Sequence, residues 1–349
     1  MRDTSLIIGD MNMGKTTTVL FNEVKKIIEN GENICLLDNR DEYFKTFSNI
    51  LKDNGYNTLV LNLREPSKSN GFNPLEVPYE LYQEGKKDAS IELINNLALE
   101  IFKDKNSVDP FWSNMAANYF MGLVLILFNE GKETEINLGS VQVMMNQGEE
   151  KYNDTNYLKK YLDNLDVTNV IYSLLSPIVY APNDTKMSII AVCKQKLNIY
   201  MYREELLNML NTNDINVKNL KEKTAIIIIA PKQTDIANIL LTQLIEVSNL
   251  KFTYILDNFD RLNPLINFSK YLEESNYENN KFIIAVHSIE EIEELYGKHI
   301  IGKFRSVIKM DDGRFTEGMQ SISIGNDDNY PTLNMIKHDY LDFKKLVEK

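Results

Sequence analysis

Residues 9–16 read Gly9-Asp10-Met11-Asn12-Met13-Gly14-Lys15-Thr16, which satisfies the spacing G-x-x-x-x-G-K-[ST] in full. The flanks fit it. Thr4-Ser5-Leu6-Ile7-Ile8 is a short apolar run that predicts a buried strand. Beyond the loop, residues 17–30 place Val19, Leu20, Val24, Ile27 and Ile28 on one face at helical spacing. Strand, glycine loop and helix are the context in which such a loop wraps its backbone N–H groups around a triphosphate, at a helix N-terminus whose dipole favours anions. On this reading Gly9, Asp10, Met11, Asn12, Met13, Gly14, Lys15, Thr16 and Thr17 form the cradle. Lys15 reaches the β- and γ-phosphates, and the Thr16 hydroxyl holds Mg2+. The competing reading is a strand–helix turn with incidental glycines. Asp10 puts a carboxylate beside the cradle, and Met13 stands where small residues are commoner.

The rest of the chain repeats a strand–helix rhythm around this loop. Gly31 can end the first helix. Ile34-Cys35-Leu36-Leu37-Asp38 predicts a second strand, 41–54 a helix closed by Asn54-Gly55, and 58–63 a third strand. After the turn Gly71-Phe72-Asn73-Pro74-Leu75 the rhythm stops. From about 88 to 210 no strand is evident, and helices are expected at 88–103, 110–129, 138–146, 157–165, 170–179 and 184–210. Asp109 and Pro110 stand at N-cap and first-turn positions of the second of these. The strands return with Ala225-Ile226-Ile227-Ile228-Ile229-Ala230, apolar on both faces as central parallel strands are. A helix at 235–248, the strand Phe252-Thr253-Tyr254-Ile255-Leu256-Asp257, a helix near 268–275 and the strand Phe282-Ile283-Ile284-Ala285-Val286 follow. Ser288 and Glu291 have capping-box spacing. A last strand is expected at 306–310, and the tail from 326 is polar and then helical. This order predicts an α/β fold with a mostly parallel sheet, interrupted by an all-α insertion. The expected boundaries are 1–87 and 220–349 for the α/β domain and 88–219 for the insertion.

Composition excludes several classes. With 349 residues, 43% hydrophobic and 25% charged, the chain is long enough for one large or two modest cores. The N-terminus runs directly into the first strand, so no secretory signal is expected. The longest apolar run, 119–128, is ten residues, whereas a membrane helix takes about 20. Cys35 and Cys193 are expected to be buried thiols in a reduced, cytosolic compartment. The net charge of −12 argues against a chain that coats nucleic acid with its whole surface, though not against a basic lining in a pore. Lys298, Lys303, Arg305, Lys309 and Arg314 form one local basic cluster, and Lys218, Lys221 and Lys223 another. Glu290, Glu291, Glu293 and Glu294 read as the wet side of a helix.

A phosphate loop needs a second acid at the end of a neighbouring strand to hold the metal through water. Asp257 has that setting, and Asp38 is the rival. Many such ATPases place Glu directly after the metal-side Asp, to orient or deprotonate the attacking water. Here the residue is Asn258, which can orient a water but cannot take its proton. Asp260 can substitute only if the loop bends it inward. His287, at a strand end, is a candidate contact to the γ-phosphate or a hydrogen-bonded structural residue. Arg261, Arg305 and Arg314 are candidates for a finger into a neighbouring subunit's site. Trp112 and Phe111 read as core rather than as a base-stacking platform, and the histidines and cysteines have no metal-ligand spacing.

Several pieces in one order resemble the TraG/TraD-type (VirD-like) coupling ATPases of conjugative type IV secretion. Leu37-Asp38-Asn39-Arg40-Asp41-Glu42 is similar to that family's D-P-K-G-E stretch. Val60-Leu61-Asn62-Leu63 and Gly71-Phe72-Asn73-Pro74-Leu75 resemble its N-L … G-[FW]-N-P-L. Asp109-Pro110-Phe111-Trp112 with Ala116-Ala117 resembles D-P-F-W … A, and Ile255-Leu256-Asp257-Asn258-Phe259 stands where the family has L-L-D-E-F. Ala285-Val286-His287-Ser288 and Leu295-Tyr296-Gly297 resemble Q-S … L-Y-G. The resemblance covers about residues 5–312. It implies a RecA-like P-loop NTPase core with an all-α domain, assembling into a homo-oligomeric, hexameric ring. It also implies ATP and Mg2+ as cofactors and ATP-driven handling of single-stranded DNA with its relaxase at a type IV secretion channel. Carried over by position, Lys15 and Thr16 bind phosphates and Mg2+, and Asp257 holds the metal. Asn258 replaces the family's Glu, and His287 its Gln. The membrane segment usual in the family is not found in this sequence. The expected place is therefore the cytoplasm: either the chain docks on a separate membrane partner at the inner face of the membrane, or it works away from the membrane. Two other readings stand beside the conjugative ATPase: a DNA-packaging or segregation motor of the same superfamily, and a nucleotide-binding scaffold that recruits substrate without hydrolysing ATP.

Overall fold

A computed structural model describes residues 4–10, 13–103, 109–230, 235–278, 280–310 and 329–348. In chain order the α/β part begins with β1 (Thr4–Ile8), a π-helical turn over Lys15–Leu20, α1 (Phe21–Asn30), β2 (Asn33–Asp38), α2 (Glu42–Asp53) and β3 (Asn57–Asn62). Then come α3 (Glu76–Gln83), α4 (Lys87–Phe102), α5 (Phe111–Glu130) and α6 (Leu138–Gly148). A two-residue hairpin, β4 (Lys151–Tyr152) with β5 (Thr155–Asn156), leads to α7 (Tyr157–Leu162), α8 (Val170–Val179), α9 (Asn183–Met201) and α10 (Glu204–Leu210). The α/β part resumes with β6 (Thr224–Ile229), α11 (Asp235–Val247), β7 (Phe252–Leu256), α12 (Phe268–Glu278), β8 (Lys281–Val286), α13 (Ile289–Tyr296) and β9 (Ser306–Lys309). A short α14 (Phe343–Val347) ends the described chain.

The large sheet has seven strands in the order β3-β6-β2-β7-β8-β1-β9, and its neighbours pair in parallel. Parallel pairing needs a crossover between successive strands, so helices cover the faces and the strands are apolar throughout. Every residue of β1, β2, β6 and β7 is buried. The aromatic rings of α1 and α2 lock these helices together. Phe21 meets Tyr43 at 5.0 Å and Phe47 at 5.1 Å, both edge to face, a geometry worth about 0.5–1.5 kcal/mol per pair beyond burial. Gly31 closes α1 at φ 70°, a conformation that a side chain would strain.

The chain divides into two compact units, Met1–Asn70 with Val217–Leu333, and Gly71–Asn216 with Asn334–Lys349. The helical unit thus begins at Gly71 rather than at 88 and includes the end of the chain. Backbone bonding explains the first shift. Phe72 N–H donates to Met209 O at 2.9 Å, and Gly71 O accepts from Asp214 and Ile215 at 3.0 and 2.9 Å. A Cβ on Gly71 would stand 2.5 Å from Thr212 Cβ, so only glycine fits that crossing. The second shift comes from Leu341 N–H on Ser140 Oγ at 3.1 Å and Phe343 N–H on Gln147 Oε1 at 2.7 Å.

Three local expectations are corrected. The single helix expected at 184–210 is two. Buried positions Ile189, Cys193, Leu197 and Tyr200 keep one phase in α9, whereas Leu206, Met209 and Leu210 in α10 are out of it. The extended Arg203, at φ −108°, resets the phase. The β4–β5 hairpin and α3 were not anticipated. The hairpin turns on Asn153 at φ 51°, which asparagine tolerates. The tail, expected to be polar and then helical, has no regular structure over residues 329–342 and is then helical in α14. Tyr330 stacks on Phe44 at 4.2 Å and its hydroxyl bonds Asp41. Residues 326–328 lie outside the described residues.

Among the described residues one helix, Phe111–Glu130, is long and apolar enough by length and composition to cross a membrane. Its whole central run, Tyr119 through Phe128, is buried inside the helical unit. It packs there between α4, α8 and α9, as a core helix does. Cys35 and Cys193 are both buried free thiols.

Candidate functional site

The glycine loop leaves the carboxyl end of β1, where parallel α/β sheets gather their ligands. Gly14 has φ 79° and opens the π-helical turn that carries Lys15 and Thr16. Thr18 N–H donates to Gly14 O at 2.8 Å. A Cβ on Gly9 would lie 3.2 Å from Met310 Cβ, so the loop starts in close contact with the end of β9. Met11 and Asn12 lie outside the described residues. The Lys15 ammonium is almost fully buried. It donates to Gly9 O, and to Asp10 O at 3.2 Å. Burial pulls its pKa below the ordinary lysine value, against the charges of Asp257, Asp260 and Asp10.

Asp257 follows β7 and is 2% exposed. Thr16 Oγ1 donates to its Oδ2 at 2.6 Å, and Tyr43 Oη donates to the same oxygen at 3.2 Å. Oδ1 is buried and has no hydrogen-bond partner. Burial pushes the carboxyl above its usual range, while Thr16, Tyr43 and Lys15 pull it back. A buried carboxylate oxygen without a donor is costly, and a hard divalent cation, which prefers oxygen ligands, fits it.

Asp38 is engaged elsewhere. It is 1% exposed and accepts from the backbone N–H groups of Glu42, Tyr43 and Phe44 at 2.9, 2.9 and 3.1 Å. It therefore caps α2, satisfying donors that a helix start leaves open. Burial pushes its carboxyl up to about 7 even so.

Asn258 adopts φ 50° and is 9% exposed. The Asn39 side chain holds the backbone here, donating to Asp257 O at 2.8 Å. The loop does bend Asp260 inward, but onto His287. His287 Nδ1 lies 2.5 Å from Asp260 Oδ2, and His287 N–H donates to the same oxygen at 3.3 Å. Arg261 approaches His287 Nε2 at 3.4 Å. Glu291, expected on the wet side of its helix, joins this cluster, 3.7 Å from His287 Nδ1. Its hydrogen bond with Asp260 raises it to about 7. Burial would raise Asp260 too, but its bonds to Glu291 and His287 outweigh burial and hold it below the carboxylate range. Ser288 does cap α13, accepting from Glu291 N–H at 3.2 Å, while the Glu291 carboxyl turns to Asp260. Asp260, His287 and Glu291 together could hold a metal by donor type, a grouping that sequence spacing concealed.

Two clefts flank the loop. A cleft of about 220 Å³ is bounded by Asp10, Met13, Gly14, Lys15, Thr16 and Thr17 on the loop side, with Asn258 and His287, and by Arg40 and Glu42 beyond β2. A second, of about 540 Å³, has apolar walls from Ile8, Ile289 and Met310 and a cation in Lys309. Arg40, Glu42 and Tyr43 were missed as site residues. The available signal was their place just past the end of β2, at the same carboxyl end of the parallel strands as the loop. Arg305 lies at the opposite, amino end of the strands, its N–H on Thr4 Oγ1 at 3.0 Å. Arg314 is outside the described residues. In the helical unit Phe111 and Trp112, expected in the core, are 45% and 37% exposed and pack edge to face on each other at 5.2 Å.

A parallel seven-stranded sheet with this loop on β1 and an acid after β7 defines a RecA-like P-loop NTPase fold. A family described as Type IV secretory system Conjugative DNA transfer matches residues 5–265, and the chain belongs to it. Among solved structures the chain is similar to the bacterial conjugative coupling protein TrwBdeltaN70, trigonal form in complex with sulphate. The TM-score is 0.61 at 11% identity, over 88% of this chain and 70% of that one. It is also similar to plasmid coupling protein TrwB in complex with ADP and Mg2+ (0.61, 11%, 87% and 70%). The same holds for TrwB with the non-hydrolysable GTP analogue GDPNP (0.61, 10%, 96% and 86%). At such identities the likeness concerns the fold. A comparison with curated proteins finds no match.

Proposed function

We propose that this chain is an ATPase that binds ATP with Mg2+ on the β1 loop and couples its hydrolysis to conjugative transfer of single-stranded DNA with its relaxase through a type IV secretion channel. It works as a homo-oligomeric, hexameric ring on the cytoplasmic side of that channel. Family membership supports the DNA-transfer role. The observation that carries the nucleotide reading is the meeting of Thr16 Oγ1 with Asp257, whose other buried oxygen has no partner. Gly9 through Thr17 would cradle the phosphates, and Lys15 would exchange the carbonyls of Gly9 and Asp10 for phosphate oxygens. Thr16 and Asp257 would hold the metal, which supplies charge neutralisation at the phosphates. The adjoining larger cleft leaves room for the nucleoside. His287, fixed by Asp260, faces the phosphate cleft and would contact the γ-phosphate.

A second reading is specifically favoured by Asn258, which cannot accept a proton: a nucleotide-bound scaffold that recruits substrate without turnover. ATPase assays with and without single-stranded DNA separate the two. Turnover stimulated by DNA and abolished by Lys15→Ala supports the motor. Binding of ATP without turnover supports the scaffold, and no binding of ATP by calorimetry refutes both. Native mass measurement with ATP and Mg2+ tests the ring.

A further inference from the structure

We infer that Glu42 supplies the carboxylate that position 258 lacks, holding the water that attacks the terminal phosphate and taking its proton. This rests on the reading of the 220 Å³ cleft as the triphosphate site. Two carboxylates line that cleft among the described residues, Asp10 and Glu42. Asp10 belongs to the exposed loop itself, and its carbonyl receives Lys15. Glu42 stands on the other side of the cleft.

Three features put it there. In the sheet Leu37 of β2 pairs with Leu256 of β7, so the two strands end side by side, Asp38 next to Asp257. Glu42 is the first residue of α2, and its N–H is tied to Asp38 Oδ1 at 2.9 Å, so its backbone is anchored to a buried group. Its side chain is 20% exposed, and the nearest Arg40 nitrogen is 3.9 Å away, beyond hydrogen-bond distance. Among the described residues one imidazole also lines the cleft, that of His287, placed above as a phosphate contact. His287 presents Nδ1 to Asp260 and Nε2 to the Arg261 guanidinium. Burial and the Asp257 charge raise the Glu42 carboxyl above its ordinary value against the pull of Arg40, the direction a proton acceptor near neutral pH needs.

The step balances without redox. An O–H bond of the water breaks and its proton passes to a Glu42 carboxylate oxygen. The water oxygen bonds to the γ-phosphorus as the bond from that phosphorus to the β,γ-bridging oxygen breaks, and that electron pair leaves with ADP. The proton then returns to solvent through the open cleft.

The test compares wild type with Glu42→Gln and Glu42→Asp in full-length protein. Single-turnover phosphate release is measured, with ADPNP affinity by calorimetry and the thermal shift given by ADP with aluminium fluoride and Mg2+. Glu42→Gln is expected to slow phosphate release by about 10²–10⁴-fold. It should keep ADPNP affinity within about threefold and lose most of the extra thermal shift that aluminium fluoride adds to ADP. Glu42→Asp is expected to recover part of both. Phosphate release by Glu42→Gln within threefold of an active wild type overturns the inference alone. Loss of ADPNP binding in Glu42→Gln overturns it as well, by assigning the side chain to binding. A wild type that binds ADPNP and releases no phosphate overturns the hydrolytic reading, and the inference with it.

Discussion

Asp38 and Asp257 sit at the ends of adjacent strands, and their hydrogen-bond partners differ: backbone N–H groups of α2 for Asp38, the Thr16 and Tyr43 hydroxyls for Asp257. Replacing Asp38 with Ala is therefore expected to damage stability and to spare metal-dependent nucleotide binding. Two of its three backbone donors, the N–H groups of Tyr43 and Phe44, are buried. Each would lose its acceptor, at about 1–3 kcal/mol apiece. Removing a buried carboxyl that burial has pushed up to about 7 returns part of that cost, so the net loss should be about 2–3 kcal/mol. For a unit of roughly 190 residues each kcal/mol shifts the melting temperature by about 2–4 °C, which gives a fall of about 4–12 °C. Calorimetric melts with and without ADPNP and Mg2+ measure it. Saturating ligand at about 100 Kd should still add about 2.7 kcal/mol to Asp38→Ala. If Asp38→Ala melts within about 1 °C of wild type but loses the Mg2+-dependent increment, Asp38 is the metal-side acid, and the assignment of Asp257 fails.

Asp257→Asn should show the converse. Without ligand it is expected to melt at or above wild type, because it removes a charge that burial disfavours, and its ADPNP affinity should no longer respond to Mg2+ in calorimetry. Asn258→Glu forces a longer side chain into φ 50°, so it should cost about 1 kcal/mol and melt about 2–4 °C lower, whereas Asn258→Gly, free of that strain, should not. Glu76 reports on pH. Burial, with Glu80 and Glu133 nearby, raises it from 4.5 to about 7, so the folded protein holds its proton more tightly than the unfolded chain. The contribution is complete below pH 4.5 and is lost as pH rises through 7. Glu76→Gln should match wild type in melts at pH 4.5 and exceed it by about 1 kcal/mol at pH 8, solvent screening having reduced the full shift. Tyr330→Ala removes a ring stacked on Phe44 and is expected to cost about 1–2 kcal/mol in urea unfolding.

Much of the fold could be read locally because its determinants are local. The strand runs at β1, β2, β6, β7 and β8, the capping glycine at 31 and the capping serine at 288 each act within a few residues. The same is true of the loop, whose glycine and lysine spacing is a local pattern. What failed were features decided by distant partners. A continuous helical period over 184–210 hid a change of buried face between α9 and α10. Phe111 and Trp112 look like core by composition, yet their position at the start of α5 leaves them exposed.

The sequence by itself determined that a phosphate loop opens the chain, that parallel strands carry it, and that acids end two of those strands. It favoured Asp257 over Asp38 for the metal side, although both acids follow apolar strand runs. Strand order separates them. Thr16 meets Asp257 across 241 positions of chain, while Asp38 is claimed by the helix that follows it. Placing Glu42 opposite the loop, and Asp260, Glu291 and His287 in one cluster, likewise took the folded sheet. Side chains far apart along the chain meet only where strand ends come together, and no local pattern encodes which ends those are.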